Sequence, residues 1–481
     1  MSTQEREVDV VVIGAGAVGE NVADRAGRTG LDVVVVESEL IGGECSYWAC
    51  MPSKALLISG HALAAARRLP GAAEAVTGPL DAGAVLKRRT SFTSDWDDSS
   101  QVQWLDSVGV ALVRGTARLA GIKRVEVDTT DGTIVLVARH AVVLATGSVP
   151  VLPDLPGLAE SKPWTSREAT STDVVPGRLA VLGGGVVGVE LAQAWARLGS
   201  SVTLFARSGL LAGQEDFAGD LVADALRADG VDLRLGAALA SVSRDDAGIT
   251  ITLEGGETVV ADEFLVATGR RPATEGVGLE TIALESGGLL DDGGSLEVDD
   301  TGLVSGVEGS WFYATGDVSG RVKLTHQGKY DARAAGEAIA ARAAGTLGAQ
   351  APAWSRYTAS ADHVAVPQVV FTDPEVASVG LTAAQAREKG LDVKVVDYEL
   401  GNVAGSSLKA DGYTGKARMI VDEQRKVIVG VTFVGQDVAE LLQAATVAIV
   451  GEVPLERLWH AVPAYPTMNE IWLRLLETYG L

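Results

Sequence analysis

The stretch Val8-Asp9-Val10-Val11-Val12-Ile13-Gly14-Ala15-Gly16-Ala17-Val18-Gly19 decides how this chain is to be read. Its first half is a mostly apolar run of strand length. Its second half is a Gly-x-Gly-x-x-Gly turn that opens into a helical pattern. Gly14 permits the tight turn, Gly16 lets a pyrophosphate approach the backbone, and Gly19 lets helix pack on strand. The start of the helix then offers partial positive charge to phosphate. The next strand, Asp32 to Val36, ends at Glu37, whose carboxylate can accept from ribose hydroxyls.

The same arrangement returns further along. Leu179-Ala180-Val181-Leu182 leads into Gly183-Gly184-Gly185-Val186-Val187-Gly188, so Gly183, Gly185 and Gly188 repeat the spacing. Two copies imply two parallel, doubly wound sheets. In the second copy the following strand reads Val202-Thr203-Leu204-Phe205-Ala206-Arg207, with Ala206 in the place of Glu37. Losing a carboxylate and gaining the Arg207 guanidinium suits a 2′-phosphate, which favours NADPH over NADH. Two dinucleotide sites in one chain imply two cofactors, a flavin and a nicotinamide, between which hydride passes.

Residues Gly345 to Asp362 form a Gly/Ala/Pro/Ser-rich connection, and a third pattern follows it. β-rich runs at Val364–Phe371 and Ala417–Val434 precede helical patterns at 437–450 and 468–478, which reads as an α+β domain. The segment Asp81 to Ser107 predicts a long exposed helix interrupted near Thr93-Ser94-Asp95. The fold class is therefore α/β, with two Rossmann-like dinucleotide-binding domains and a C-terminal α+β domain.

A chain of 481 residues exceeds one ordinary core, and 47% hydrophobic with 21% charged residues describes a folded globular protein. With 40 basic against 63 acidic residues, the formal charge of −23 disfavours nucleic acid and anionic membranes as partners. The N-terminus lacks the basic-then-apolar order of a signal peptide, and the longest apolar runs are too short for a bilayer. A cytoplasmic location is expected.

The two cysteines, Cys45 and Cys50, lie in Gly42-Gly43-Glu44-Cys45-Ser46-Tyr47-Trp48-Ala49-Cys50-Met51-Pro52-Ser53-Lys54, directly after the first βαβ unit. Pro52 suits the first turn of a helix. The spacing lets both sulfurs meet across one turn, and a helix N-terminus would lower the thiolate pKa of Cys50. A zinc site would need four ligands, and no further cysteine or local histidine supplies them. The pair therefore reads as redox-active. Two aromatic residues between the cysteines could shape a flat acceptor site.

With these residues in view, the run Gly42 to Leu57 resembles the redox-disulfide segment of the dihydrolipoamide dehydrogenase, glutathione reductase and mercuric reductase family of FAD-dependent pyridine nucleotide-disulfide oxidoreductases. Ala145-Thr146-Gly147 and Ala267-Thr268-Gly269-Arg270-Arg271-Pro272 resemble its domain-junction turns. Ala314-Thr315-Gly316-Asp317-Val318 resembles its second FAD segment, and Phe371 to Gly380 the start of its interface domain.

The expected cofactors are FAD, which the resemblance implies, and NADPH rather than NADH, which Arg207 favours. The resemblance places Gly14, Gly16, Gly19, Glu37, Gly43, Lys54, Ala117, Thr146, Gly147, Gly183, Gly185, Gly188, Arg207, Gly269 and Asp317 among the cofactor-binding residues, with Asp317 at the ribityl or phosphate region. It implies that Cys50 faces the flavin, that Cys45 exchanges with substrate, and that Lys54 and Glu190 form an ion pair beside the isoalloxazine. The implied domains are 1–150 and 273–350 for FAD, 151–272 for NAD(P), and 351–481 for dimerisation. A homodimer follows, combining the cysteines of one chain with residues near Tyr465 of the other.

One motif departs from the family. Its disulfide-reducing members carry His-Pro-Thr near the C-terminus, with a glutamate four residues after the proline. Here the run is Tyr465-Pro466-Thr467-Met468-Asn469-Glu470, so Glu470 is kept and Tyr465 stands where the histidine is expected. His460 is nearby but five positions off. A general acid–base group contributes roughly 10²–10⁴ in rate, and a phenol with pKa about 10 is a poor substitute near neutrality. Mercuric reductases resemble the chain in having a tyrosine around this position, yet their C-terminal cysteine pair is absent, which argues against mercuric ion as the main substrate.

The expected activity is electron transfer from NADPH through FAD to Cys45 and Cys50, then to a small disulfide or related acceptor. The alternatives are dihydrolipoamide dehydrogenase, disfavoured by Arg207 and Tyr465, and an NAD(P)H-dependent quinone or metal-ion reductase.

Overall fold

The structure, a computed structural model, describes residues 4–282 and 288–481. The chain folds as two units. One takes the chain up to Pro52, then Thr90–Val151 and Arg270–Asp362; the other takes Ser53–Arg89, Leu152–Gly269 and His363–Leu481.

In the first unit the opening strand Gln4–Ile13 lies between Val33–Glu37 and Gly132–Leu144, parallel to both. Val10, Val11 and Val12 are wholly buried, as expected of a central parallel strand covered on both faces. Ala111–Arg114 extends this parallel core on one side, and Phe312–Ala314 joins Gly132–Leu144 in parallel. The sheet is not parallel throughout. Gly132–Leu144 pairs antiparallel with Arg124–Thr129, which pairs antiparallel with Thr116–Leu119. The cause is local: Thr129 faces Gly132, so only Thr130 and Asp131 connect the strands. A connection that short joins only antiparallel neighbours.

Helix Ala17–Gly27 starts at once after the glycine turn and buries Val22, Ala23 and Ala26. Helix Thr325–Ala343 packs along it. A Cβ added to Gly328 would lie 2.7 Å from Val18 Cγ2, and one added to Gly336 would lie 2.8 Å from the Val22 carbonyl oxygen.

The second unit holds the other parallel sheet, in the order Asp232–Leu235, Ser201–Ala206, Arg178–Leu182, Glu263–Val266. It also holds an antiparallel five-stranded sheet, ordered Gln368–Val370, Glu375–Gly380, Val427–Gly435, Lys416–Asp422, Val393–Glu399. Helices Leu442–Val450 and Glu470–Tyr479 share its core with Met419 and Phe433. This is the α+β arrangement anticipated for the C-terminal part.

The segment read as one interrupted helix is two, Ala82–Phe92 and Ser99–Ser107, broken at Ser94, Asp95 and Trp96, which have φ of 49°, 55° and 55°. It is not exposed along its length, because Val85, Leu86, Arg89 and Leu105 are buried. Val85 and Leu86 enter one core and Leu105 another, while Phe92 and Trp104 stay exposed.

A buried ionic cluster fixes the second unit. Arg68, just beyond helix Cys50–Arg67, grips Asp373 through two bonds of 3.1 and 2.6 Å. Arg197 Nη2 donates to the same carboxylate at 3.0 Å. Gln193 accepts from the Asp373 amide at 2.7 Å and donates to its carbonyl at 3.0 Å. Burial alone would raise the Asp373 pKa, but Arg68 and Arg197 outweigh it and hold the carboxyl below the ordinary 3.8. Its contribution is therefore complete above the ordinary carboxylate pKa and lost as pH falls through the lowered value.

Asp373→Asn should destabilise this unit by about 3–5 kcal/mol at neutral pH, since two guanidinium groups lose their shared partner. In thermal melts across an acid pH series, the gap between wild type and variant should close only below about pH 4. A constant gap would contradict the assignment.

Candidate active site

The site grows from two glycine contacts. Cβ atoms added to Gly14 and Gly19 would lie 2.6 Å from the Ala145 carbonyl oxygen and 1.9 Å from the Gly14 oxygen. In the second copy, Cβ atoms on Gly183 and Gly188 would lie 2.2 Å from the Ala267 oxygen and 1.9 Å from the Gly183 oxygen. The two turns are thus built alike, and no side chain fits at these four positions.

The residues present fit the dinucleotides. Helices Ala17–Gly27 and Val186–Arg197 begin after Gly16 and Gly185, and neither N-terminus is capped by a side chain. Their first amides are available to phosphate oxygens. Nothing lies within 4 Å of a Cβ built on Gly185, so the approach to the backbone is open. In the first unit Thr315 Oγ1 is buried without a hydrogen-bond partner, beside Asp317, as a polar lining awaiting a ligand would be.

Glu37 ends its strand with Oε2 accepting from the Ala15 amide at 2.7 Å and Oε1 from the Glu39 amide at 2.8 Å. Ser148 donates to Asp317 Oδ2 at 2.5 Å and accepts from Arg270 Nε at 2.8 Å. Arg270 Nη2 also lies 3.7 Å from Glu44, which gives that residue of the cysteine segment a counter-charge. Thr146 donates to the Ala273 carbonyl at 2.7 Å, holding the Ala145-Thr146-Gly147 turn. Ala117 lies in strand Thr116–Leu119 opposite Val127. Arg207 is exposed just beyond strand Ser201–Ala206.

The cysteine segment packs on the first turn. Gly16 and Gly42 form a parallel bridge, and a Cβ on Gly43 would fall 2.9 Å from Gly16 Cα. Cys45 sits in the short helix Gly43–Tyr47, and Cys50 is the first residue of helix Cys50–Arg67. Cys50 Sγ lies 3.2 Å from Thr325 Oγ1. The hydrogen bond between the two cysteines, together with burial, pushes the Cys45 thiol far above its ordinary range; the Thr325 hydroxyl and Lys329 ammonium pull it back down. Tyr47 is 1% exposed, with its ring centroid 5.7 Å from that of Trp48. It therefore belongs to the interior, and the flat acceptor surface expected of the two aromatics is not formed by Tyr47.

In the second unit Lys54 Nζ lies 2.7 Å from Glu190 Oε2, and the Phe371 amide donates to Glu190 Oε1 at 2.8 Å. Lys54 also stands 4.9 Å from the Phe371 ring centroid. The carboxylate is 3% exposed, so both its oxygens are committed within the protein. Tyr465 is 76% exposed and His460 is exposed. Glu470 is buried; its Oε1 accepts from Arg474 at 2.5 Å, while Oε2 is buried without a partner. Tyr465 and Glu470 belong to the second unit, and the cysteines to the first.

Sequence reasoning missed Ser148, Arg270, Thr325, Lys329 and Phe371. Arg270 and Phe371 fall inside family-like motifs, of which only the first holds a residue with an expected role, Gly269. Thr325 and Lys329 carry no motif, and nothing local in the sequence marks either.

Residues 8–332 match the pyridine nucleotide-disulphide oxidoreductase family, and residues 366–475 match its dimerisation domain. The chain is a member of this family of flavoprotein oxidoreductases, which use FAD with NAD(P)H, and its dimerisation domain supports a homodimer. It is 31% identical to mercuric reductase of Acidithiobacillus ferrooxidans over 97% of this chain and 81% of that protein. It is 30% identical to dihydrolipoyl dehydrogenase of Geobacillus stearothermophilus over 98% of this chain and 96% of that one. Its fold matches that of the HOCl-induced flavoprotein disulfide reductase RclA of Escherichia coli, with a TM-score of 0.83 and 23% identity over 98% and 99% of the two chains. Among the described residues no helix is long and apolar enough to cross a membrane, and no group of three or more His, Cys, Asp or Glu is placed to hold a metal ion.

Glu190→Ala should lower the stability of the second unit by about 1–3 kcal/mol, because the Phe371 amide loses its acceptor. Glu190→Gln, which keeps an oxygen for that amide, should recover part of the loss in thermal unfolding. Equal losses in both variants would show that the amide bond contributes nothing.

Proposed function

We propose that the chain is an NADPH-dependent reductase of a small disulfide, with Cys45 and Cys50 as its exchanging pair. The observation that supports this most is Cys50 at the head of an 18-residue helix, paired with Cys45 and 3.2 Å from the Thr325 hydroxyl. FAD would be held by Gly14, Gly16, Gly19, Glu37, Gly43, Ala117, Thr146, Gly147 and Asp317. NADPH would be held by Gly183, Gly185, Gly188, Arg207 and Gly269. FAD, when held there, would supply hydride acceptance from the nicotinamide and two-electron reduction of the cysteine pair. Lys54, fixed by Glu190, supplies a positive charge that does not need to reorganise. The domain division 1–150, 151–272, 273–350 and 351–481 is proposed on the same footing.

In the reduced enzyme the Cys45 thiolate attacks the substrate disulfide. A Cys45–substrate bond forms, the substrate S–S bond breaks, and the departing thiolate takes up a proton. Cys50 then attacks the Cys45 sulfur, closes the Cys45–Cys50 disulfide and releases the second thiol. The helix N-terminus and the Thr325 hydroxyl favour the negative charge that Cys50 carries between these steps. Glu470, whose Oε2 is buried without a donor, would orient a polar group in the assembled dimer.

One observation favours a second reading. With Tyr465 in the place of the family's histidine, an acceptor needing no proton from the enzyme, such as a quinone or metal ion, is the natural alternative. A screen of disulfides, quinones and metal ions on wild type and Cys50→Ser separates the two. Disulfide reduction lost in the variant supports the proposal; disulfide reduction retained, or absent from wild type, refutes it. For the cofactor, Arg207→Ala should reduce the NADPH-over-NADH ratio of kcat/KM by roughly tenfold, about 1.4 kcal/mol. An unchanged ratio would remove Arg207 from that role.

A further inference from the structure

At the end of the first sheet away from its glycine turn lies a cavity of about 350 Å³, apart from the dithiol and both dinucleotide turns. Ala141 enters it from strand Gly132–Leu144 and Tyr313 from strand Phe312–Ala314. Ile339 and Arg342 enter it from the last turns of helix Thr325–Ala343. Thr325, which meets Cys50, stands at the other end of that helix, about 25 Å away at a rise of about 1.5 Å per residue.

A β-bulge shapes one wall. Val8 pairs with Ala138 but Val10 with Ala141, so Arg139 and His140 together face the single residue Asp9. Such an insertion interrupts the ladder and redirects side chains. His140 lines the cavity, and the Arg139 carbonyl accepts from Lys123 Nζ at 2.8 Å. The Ala138 amide donates to the Lys123 carbonyl at 2.8 Å and so fixes the backbone that carries this ammonium. On the helix, Arg342 donates to the Tyr313 hydroxyl and to Thr301 Oγ1, both at 2.9 Å. It also donates to the carbonyls of Gly348 and Ala349, at 3.4 and 3.1 Å.

Among the described residues, Lys123 and Arg342 thus meet neutral oxygens only, although acidic residues outnumber basic ones 63 to 40. The carboxylates that come near are engaged by others. Asp9 Oδ1 accepts from Arg139 Nε at 2.7 Å and lies 3.7 Å from His140 Nε2. Asp299 accepts from the Thr301 hydroxyl at 2.7 Å. An ammonium and a guanidinium hold more N–H donors than these bonds use, so both keep some for a ligand.

We propose that this cavity binds a small organic phosphate monoester, a role separate from the cysteine chemistry proposed above. Lys123 and Arg342 hold the phosphate, and Ala141, Ile339 and Leu347 take the organic body. Two cations on separate elements, each with donors to spare, suit a dianion with several terminal oxygens better than a single carboxylate. The volume falls at the lower end of the range of small-molecule pockets, more than a bare inorganic ion would fill. The carbonyl end of the helix opposes an anion with about half a charge, which two full positive charges outweigh.

The test is calorimetric titration of the FAD-containing dimer with phenyl phosphate at low ionic strength. One saturable site per chain is expected. Arg342 also braces Tyr313 and the segment after the helix, so Lys123, with its one carbonyl bond, is the residue to change. Lys123→Met should weaken binding about tenfold, the loss of one charged hydrogen bond, and Lys123→Arg should restore it. Phenol, the same body without the charge, should give no saturable heat, and neither NAD+ nor NADP+ should displace phenyl phosphate. No saturable binding to wild type, or the same Kd in Lys123→Met, would overturn the site. Displacement by either dinucleotide would move the ligand to the turn at Gly183 and Gly185 and overturn it equally. Benzoate binding as tightly as phenyl phosphate would overturn the choice of phosphate.

Discussion

Everything around the dithiol depends on one steric constraint, the approach of bare backbone to backbone at the first glycine turn. Gly19 lies against the Gly14 carbonyl and Gly43 against Gly16 so closely that a Cβ on Gly19 would sit 1.9 Å from an oxygen and one on Gly43 2.9 Å from a Cα. The first contact brings helix Ala17–Gly27 onto its strand. The second brings the cysteine segment onto that same turn. The elements that would hold phosphate and the elements that present sulfur are therefore one packed piece. Glycine is required at both contacts because any side chain would force them apart.

From this piece the chemistry is arranged by long helices rather than by loops. Helix Thr325–Ala343 lies along helix Ala17–Gly27, with Gly328 and Gly336 admitting the close approach, and so delivers Thr325 to Cys50 and Lys329 to the neighbourhood of Cys45. In the other unit, helix Val186–Arg197 carries Glu190, Gln193 and Arg197. Glu190 holds Lys54 and the Phe371 amide; Gln193 and Arg197 hold Asp373. Phe371 and Asp373 are two residues apart, so one segment is anchored twice to one helix. A charged group held by packed, hydrogen-bonded partners needs no rearrangement when charge develops beside it.

The buried carboxylates are of two kinds. Glu190, 3% exposed, and Asp373, 5% exposed, have their oxygens met by cations or amides. Glu20 and Glu470 each keep a buried oxygen without a partner. Such an oxygen is costly in the folded state unless it stays protonated or meets a donor from outside the unit. The burial that pushes Glu20 up to about 7 corresponds to the first case.

By itself the sequence determined the two strand–turn–helix units, the α+β character of the last third, and the redox reading of Cys45 and Cys50. Those features are local: a strand period, a glycine spacing and a pair of cysteines five residues apart express themselves within a few turns of chain. Lys54 and Glu190, far apart in the chain, were legible only through resemblance to a family. The antiparallel extension of the first sheet was written in the short Thr130-Asp131 connection, yet was hidden by the strength of the parallel pattern. Only the tertiary structure decided that Tyr47 packs inward, that Glu44 faces Arg270, and that Thr325 meets Cys50 across 275 positions. The physical reason is common to all three. A hydrogen bond or an ion pair acts over a few ångströms in space, and nothing in the order of residues states which distant segments packing will bring within that reach.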